Sequence, residues 1–450
     1  MPRRPVGEGS QYLEKSPKGW NYILICVPVT FLVRFTQGFN ISVFATAFLG
    51  LLSTAKIFKL AMEDLTMRVT PHAGIVIQVF MGNIIELISG IIAIKGCKLG
   101  VLQASVVGSV LINILLVLGV ACKCFSGGTK FAEQGYSPNH AHSTSHLLML
   151  GTLATLLPSI FAPNGGGTTG DTEKMRTAIL WISRVFSLCL LLCYIIFGVY
   201  QFCSHTSAFE ASMPSTRYPQ GGDDHSVGAQ SDISIFGNRT ETSSYPLRER
   251  NSGRCAVSDS ERGQVSAGDT EEADEESKPS MHLLFGLVVL IGTGVLIYFL
   301  SEFVVGSLAD LTHKLPLITE QWVGLILIPL AGTFSRHDVL EAVAFGRNDK
   351  MNSSLVLSLG SSLNISLFIQ PFLVLLAWIM QTNLTLLYDP LETWALFLSV
   401  LFVNFVVQPG QSNWFCGVSL LVLYLLIAII SFWIYTDDRV VSSLVFACKG

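Results

Sequence analysis

The sequence predicts an all-α polytopic membrane protein of about eleven transmembrane helices, one helix followed by two inverted five-helix repeats. Three observations predict it. Half of the residues are hydrophobic and only 13% are charged, against about 25% charge in a soluble globular chain. The charge is gathered into a few polar stretches, leaving apolar blocks of roughly 17 to 25 residues, the length that crosses about 30 Å of hydrocarbon as a helix. An acid, a basic turn and a Gly-Ser pair also recur, in the same order and at the same spacing, in the two halves of the chain.

In chain order, residues 1–18 form a basic, polar tail. The apolar block behind it lacks a small-residue cleavage site, so a removable signal peptide is not expected. Residues 19–208 form a first transmembrane half, with spans beginning near Tyr22, Ser42, Gly74, Val101, Leu147 and Thr177. The spans near Ser42 and Thr319 are the least clean of the set. In residues 209–281 Ser, Gly, Asp, Glu and Arg dominate and large aliphatics nearly vanish, which reads as a disordered linker. Its end carries an acidic cluster, Asp269, Glu271, Glu272, Asp274, Glu275 and Glu276, read as a solvated charge run or as a short acidic helix that binds cations. Residues 282–438 form the second half, with spans beginning near His282, Thr319, Ser354, Leu391 and Trp414, and residues 439–450 form a tail.

Lys and Arg fall mostly on one side if the N-terminus and the linker are cytosolic, which favours that orientation. A net charge of -4 is too small to suggest nucleic acid as a partner. Cys26, Cys97, Cys122, Cys124, Cys189, Cys193 and Cys203 lie in or beside apolar blocks without the spacing of a disulfide framework or a zinc site, so they read as small packing residues. His140, His142 and His146 fall in a stretch read as a polar loop, with no Cys or carboxylate at ligand spacing, and read as solvated histidines.

The repeat is specific. Gly82, Asn83 and Glu86 are followed by a basic turn at Lys95 to Lys98, then Gly108, Ser109 and Asn113. His337 and Asp338 are followed by a basic turn at Arg347 to Lys350, then Gly360, Ser361 and Asn364. Both acids precede their Gly-Ser pair by 22 positions. Two five-span units must enter the membrane in opposite senses, the plan of many secondary transporters, with the site near the midplane.

A carboxylate at that depth costs about 2.5 to 3.5 kcal/mol or more and is by default functional. Glu86 is the clearest instance. Asn83 shares its helical face, Gly82 is expected to admit a neighbouring backbone, and Ser109 with Asn113 adds oxygens from the next span. An oxygen-rich, sulfur-free set suits a hard cation such as Ca2+. Buried carboxylates also hold protons more tightly, so protons compete with the metal for the same oxygens, which is a mechanism of exchange.

The stretch from Gly82 to Gly119 resembles the first signature repeat of the cation/proton exchanger family of the calcium/cation antiporter superfamily. The likeness continues through Gly127-Gly128, Ile182-Ser183-Arg184, Leu300-Ser301-Glu302, Asp389-Pro390-Leu391-Glu392-Thr393 and Ser412-Asn413-Trp414. The resemblance implies Ca2+/H+ exchange, commonly into vacuoles, with Asn83 and Glu86 as cation ligands, Ser109 and Asn113 nearby, and Glu302 as a further acid. The second repeat departs from the pattern: where the family has Gly-Asn-Ala-Ala-Glu-His, this chain has Gly332-Thr333-Phe334-Ser335-Arg336-His337-Asp338. One frame puts Arg336 at the acid position and the other puts Asp338 there, with Glu341 one turn later as a fallback. Asp338 is favoured because its spacing equals that of Glu86, with Ser361 and Asn364 completing the set.

The reading is therefore a Ca2+/H+ antiporter of an endomembrane, with the cation and protons as substrates, the lipid bilayer as solvent, and neither enzyme chemistry nor an organic cofactor. A homo-oligomer is left open. The alternative is a transport-deficient regulatory or scaffolding relative, because Arg336 would repel a divalent cation. An intramembrane hydrolase would need a His and carboxylate cluster at membrane depth, which only His337 approaches.

Overall fold

Apolar length decides where this chain is helical, and local chemistry decides where each helix stops. The computed structural model describes residues 23–122, 134–136, 138–160, 169–201, 282–335, 338–348 and 350–436. All belong to the larger of two compact units, 1–217 with 278–450; the smaller, 218–277, contains no described residue. The N-terminal tail, the whole linker with its acidic cluster, and the C-terminal tail lie outside the described residues.

In the first half the helices are α1 (Cys26–Gln37), α2 (Ile41–Thr66), α3 (Pro71–Gly82), α4 (Ile84–Lys95), α5 (Leu99–Ala121), α6 (Pro138–Ile160) and α7 (Thr169–Val199). The second half has α8 (Leu283–Gly306), α9 (Leu308–Lys314), α10 (Glu320–Phe334), α11 (Asp338–Arg347), α12 (Met351–Ile379), α13 (Pro390–Val407) and α14 (Trp414–Thr436). Asn40 caps α2, its side chain accepting from the Val43 amide at 3.0 Å. Asp389 caps α13 by accepting from the Leu391 amide at 2.9 Å, with Pro390 pre-set for the first turn,. Among the described residues seven helices are long and apolar enough to cross a membrane, or eight if α10 and α11 are one bent span.

Two predicted spans are broken. The one expected from Gly74 stops at Asn83, whose backbone (φ -113, ψ 28) leaves the helical region and separates α3 from α4. The one expected from Thr319 bends by 61° between α10 and α11. The span expected from Leu147 starts earlier, at Pro138. His140, His142 and His146 are therefore in the first turns of α6 and not in a loop; their polarity hid the helix from a hydropathy reading. His142 and His146 have ring centroids 6.0 Å apart. Cys97 is also corrected: it is disulfide-bonded rather than a packing residue, and it takes a left-handed conformation (φ 53) in the turn closing α4.

The core has two large parts, beside a small cluster of Val117, Ala121 and Ala342. One forms where α2 lies along α8, through Val43, Ala47, Leu51, Phe58, Ile297 and Leu300. The other gathers round α5, against α12 and α13, through Leu111, Leu115, Leu118, Leu359, Leu363 and Val400. In the apolar window of α5, 94% of the residues are buried, against 22% in α7, so α5 is the axis of the bundle and α7 its rim. The exposed residues of α7 include Trp181, Leu188, Leu192, Ile195 and Ile196, an apolar face that only hydrocarbon covers without penalty.

Glycines let α5 pack backbone to backbone against α10 and α14. A methyl group on Gly108 would overlap the Leu325 carbonyl oxygen and lie 2.7 Å from Pro329 Cγ, and one on Gly324 would lie 2.9 Å from the Val101 oxygen. So α5 and α10 cross with backbones touching. One on Gly417 would lie 2.6 Å from the Gly119 oxygen, seating α14 on the end of α5. A two-residue ribbon, β1 (Gln134–Gly135) with β2 (Gln411–Ser412), runs antiparallel beside this end. Gln134 Nε2 donates to the Gly346 oxygen at 3.0 Å and Tyr136 OH to the Val407 oxygen at 3.0 Å. Burial pushes the Tyr136 phenol well above its ordinary value, so it stays a donor,.

Candidate functional site

Glu86 lies in the first turn of α4, and α4 starts only because the chain breaks at Asn83. A helix N-terminus in mid-span points its unsatisfied amides at the acid and stabilises negative charge there. Both side chains are buried, Asn83 at 4% and Glu86 at 7% exposure. Asn83 Nδ2 donates to the Val79 oxygen at 3.1 Å, which turns the amide oxygen away from its own helix and leaves it as an acceptor.

A methyl group on Gly332 of α10 would lie 3.3 Å from Glu86 Oε1, so the carboxylate of the first signature segment rests against the glycine that opens the second. Among the described residues a methyl group on Gly82 would meet only Gln78 of its own helix, at 3.9 Å.

Ser109 and Asn113 are 2% and 1% exposed. Ser109 Oγ, Asn113 Oδ1 and Asn113 Nδ2 have no hydrogen-bond partner among the described residues, nor has Thr333 Oγ1, next to Gly332. An unsatisfied buried polar atom costs about 1–3 kcal/mol, and a run of them along α5 and α10 fits a set of oxygens that serves a cation and its water. Asn113 lies within a π-helical turn, Ile112–Val117; the wider turn re-aims side chains and often marks a functional site. Thr333 was missed by sequence reasoning, which registered only the loss of the family's Asn at that position.

The second segment is built differently. Asp338 opens α11 and is 4% exposed. Its Oδ1 lies 3.8 Å from Lys59 Nζ on α2, and Lys59 donates to Glu341 in a short ion pair, with Glu63 at 3.9 Å. Lys59 was missed too, although a lysine inside an apolar run was visible in the sequence. Arg336 and His337 lie outside the described residues. Ser361 is half-buried, and a methyl group on Gly360 would meet none of the described residues within 4 Å.

Asn364 is half-buried and its Oδ1 accepts from Tyr194 OH of α7 at 2.8 Å. It faces the rim helix because it follows its Gly-Ser pair by four residues from the glycine, where Asn113 follows by five, a rotation of about 100° on a helix. Glu302 is exposed on α8, in line with the exposed Val295 and Phe299. Among the described residues no three His, Cys, Asp or Glu side chains converge as a metal site. The ligand chemistry on offer is therefore carboxylates supplemented by amide and hydroxyl oxygens, a set suited to a hard cation.

Comparison with known proteins follows the same outline. A family profile described as sodium/calcium exchanger protein matches residues 39–203 and 285–433. A vacuolar calcium ion transporter of Cryptococcus neoformans is 32% identical over 96% of this chain and 76% of its own length. A Ca(2+)/H(+) antiporter of Synechocystis is 28% identical over 91% of this chain and 96% of its own. In fold the chain is similar to native YfkE, with a TM-score of 0.65 at 21% identity over 92% of this chain and 99% of that one. It is also similar to the H+/Ca2+ exchanger CAX, with a TM-score of 0.61 at 16% identity over 96% and 92%. The profile spans both signature segments and the relative above 30% identity spans nearly the whole sequence, so the chain belongs to the sodium/calcium exchanger protein family.

Proposed function

We propose that this chain is a secondary active antiporter that exchanges Ca2+, or a similar divalent cation, for protons across a vacuolar or other internal membrane. The relatives it resembles are vacuolar calcium ion transporters and Ca(2+)/H(+) antiporters. One observation carries the reading: a buried carboxylate, Glu86, at the start of a half-helix, pressed against Gly332 of the opposite segment and accompanied by unsatisfied buried oxygens on Ser109 and Asn113. Asn83, Glu86, Ser109 and Asn113 form the first-segment ligands, and Asp338 supplies the acid of the second.

The finer architecture is part of the same proposal. Eleven spans, one helix and two inverted five-helix repeats, with the N-terminus and the linker cytosolic, allow the repeats to rock about a fixed site and open it to each side in turn. Loading the site with protons releases the cation, and loading it with the cation releases the protons. The test is Ca2+ uptake into sealed vesicles holding the purified chain under an imposed pH gradient. Uptake that depends on the gradient and disappears in Glu86→Gln supports the reading; undiminished uptake in that variant removes Glu86 from the mechanism.

A second reading is favoured by one observation: the acids of the second segment are engaged by Lys59, and Asn364 by Tyr194. A transport-deficient relative that regulates or scaffolds an active exchanger would look like this. It predicts no gradient-driven uptake of Ca2+, Mn2+ or Na+ by the wild-type chain and stable co-purification with an exchanger.

A further inference from the structure

The rim helix carries a charge that the exchange cycle leaves unused. Arg184 lies on α7, three residues after Trp181 and four before Leu188, both exposed on the face that hydrocarbon covers,. Its guanidinium is framed by two indoles, 5.2 Å from the ring centre of Trp181 and 4.8 Å from that of Trp378 near the end of α12. The two rings meet edge to face with centres 5.9 Å apart and stay 53% and 41% exposed. Beside it, Ser183 Oγ accepts from the Leu386 amide at 3.0 Å, so this turn of α7 is pinned to the segment that follows α12. Among the described residues the guanidinium has no hydrogen bond and no ion pair; its contacts are the two rings. Cation–π contact eases the charge but supplies no acceptor for the five N–H donors of an arginine.

The place of Arg184 along the helix says where an acceptor can come from. Fifteen residues, about 22 Å at 1.5 Å each, separate it from the end of α7 at Val199,, and none of the residues between is charged. A hydrocarbon core about 30 Å thick that has one boundary at that end has the other about 8 Å past Arg184, on the Trp181 side. That distance is within reach of an arginine extended toward the headgroups. Helical side chains lean toward the N-terminus of their helix, which is the direction of the near boundary here. Two exposed tryptophans at this level mark the same interface.

We propose that Arg184, framed by Trp181 and Trp378, is the docking site of one anionic phospholipid in the leaflet opposite the linker. The guanidinium edge takes the phosphate in paired, charge-assisted hydrogen bonds, and the indoles flank the glycerol and the upper part of the acyl chains. A lipid fits better than a soluble anion because the surroundings, Leu188 and the exposed rings, face hydrocarbon. An anionic lipid fits better than a zwitterionic one because Arg184 has no acid of the protein to cancel its charge. The bound lipid bridges α7 and α12. None of this depends on the exchanger reading.

The experiment is native mass spectrometry of the purified, delipidated full-length chain, titrated separately with dioleoyl phosphatidylglycerol and dioleoyl phosphatidylcholine and read as the Kd of the first bound lipid. The wild type is expected to bind phosphatidylglycerol about fivefold more tightly, the effect of one basic residue at an anionic surface. Arg184→Gln is expected to abolish that preference. Arg184→Lys is expected to keep it while binding phosphatidylglycerol more weakly, since the charge stays and the two-pronged hydrogen bonding is lost. The wild-type preference and the lysine variant test the idea even if Arg184→Gln does not fold. Equal binding of the two lipids by the wild type overturns the proposal, as does an unchanged preference in Arg184→Gln. Displacement of the lipid by an equal concentration of glycerol 3-phosphate assigns the site to a free phosphate and overturns it too. An oligomer lost in Arg184→Gln with the lipid preference intact gives the place to a second copy of the chain instead.

Discussion

The first signature segment is sealed and the second is open. Around Gly108 the chain has no room for a methyl group, because the Leu325 carbonyl occupies that space; around Gly360, in the corresponding place, a methyl group would meet none of the described residues within 4 Å. The acids differ in the same sense. Glu86 lies at the head of a half-helix against Gly332, whereas Asp338 and Glu341 are tied to a lysine from another helix. The lesson is that sequence repeats need not be built alike: the first segment sets its buried acid against a glycine of the other half, and the second ties its acids to a lysine of a different helix.

The contrast can be broken at several points. The largest expected effect is on transport: Glu86→Gln should reduce proton-driven Ca2+ uptake about a thousandfold or more, since a divalent ion loses a direct charge partner, while Glu341→Gln should stay within about tenfold of wild type. Equal losses would mean that the two segments share the ion evenly. Next come the glycines, read by unfolding of the purified protein. Gly108→Ala should destabilise by about 3 kcal/mol through overpacking against Leu325 and Pro329, and Gly360→Ala should stabilise by about 0.5 kcal/mol, the ordinary gain of alanine over glycine in a helix. The same sign for both would erase the distinction between sealed and open.

A smaller effect sharpens the role of the unsatisfied oxygens. Asn113→Leu replaces an amide without a partner by an apolar group of similar size, so the ion-free protein should gain about 1 kcal/mol while losing the stabilisation that added Ca2+ gives the wild type. A loss of stability in both conditions would show that Asn113 is structural. The smallest effect is Tyr194→Phe, which removes the hydrogen bond to Asn364. It should cost about 1 kcal/mol of stability and leave the KM for Ca2+ unchanged; a raised KM would return Asn364 to the cation shell.

Much of this was legible in the sequence, for a physical reason. Apolar length has one use in a chain of low charge, and the expected spans coincide with helices at nearly every place. A carboxylate in such a run announces itself by its cost, and Glu86 stands out for that reason. What was lost had weaker signals. The start of α6 was hidden because His, Ser and Thr satisfy a helix turn without raising hydropathy. The rotation of Asn364 follows from one residue of spacing that a motif comparison overlooks. Lys59 was missed although its trace was visible: the two least regular spans were those begun by Ser42 and Thr319, and these are the spans whose charges neutralise each other. Two irregular spans carrying charges of opposite sign are natural partners, because each supplies the counter-charge that the other needs in a medium without water.

The ribbon joining Gln134–Gly135 to Gln411–Ser412 has a consequence for how the molecule is made. Its first strand is synthesised long before its second, so the segment before α6 has no fixed partner until the connection between α13 and α14 has emerged. Gln134 and Tyr136 likewise wait for Gly346 and Val407. Closure of this end is thus a checkpoint on progress of synthesis: a chain truncated at the end of α13 can insert most of its helices yet lack the second strand, presenting quality-control machinery with strand backbone that the longer product conceals,.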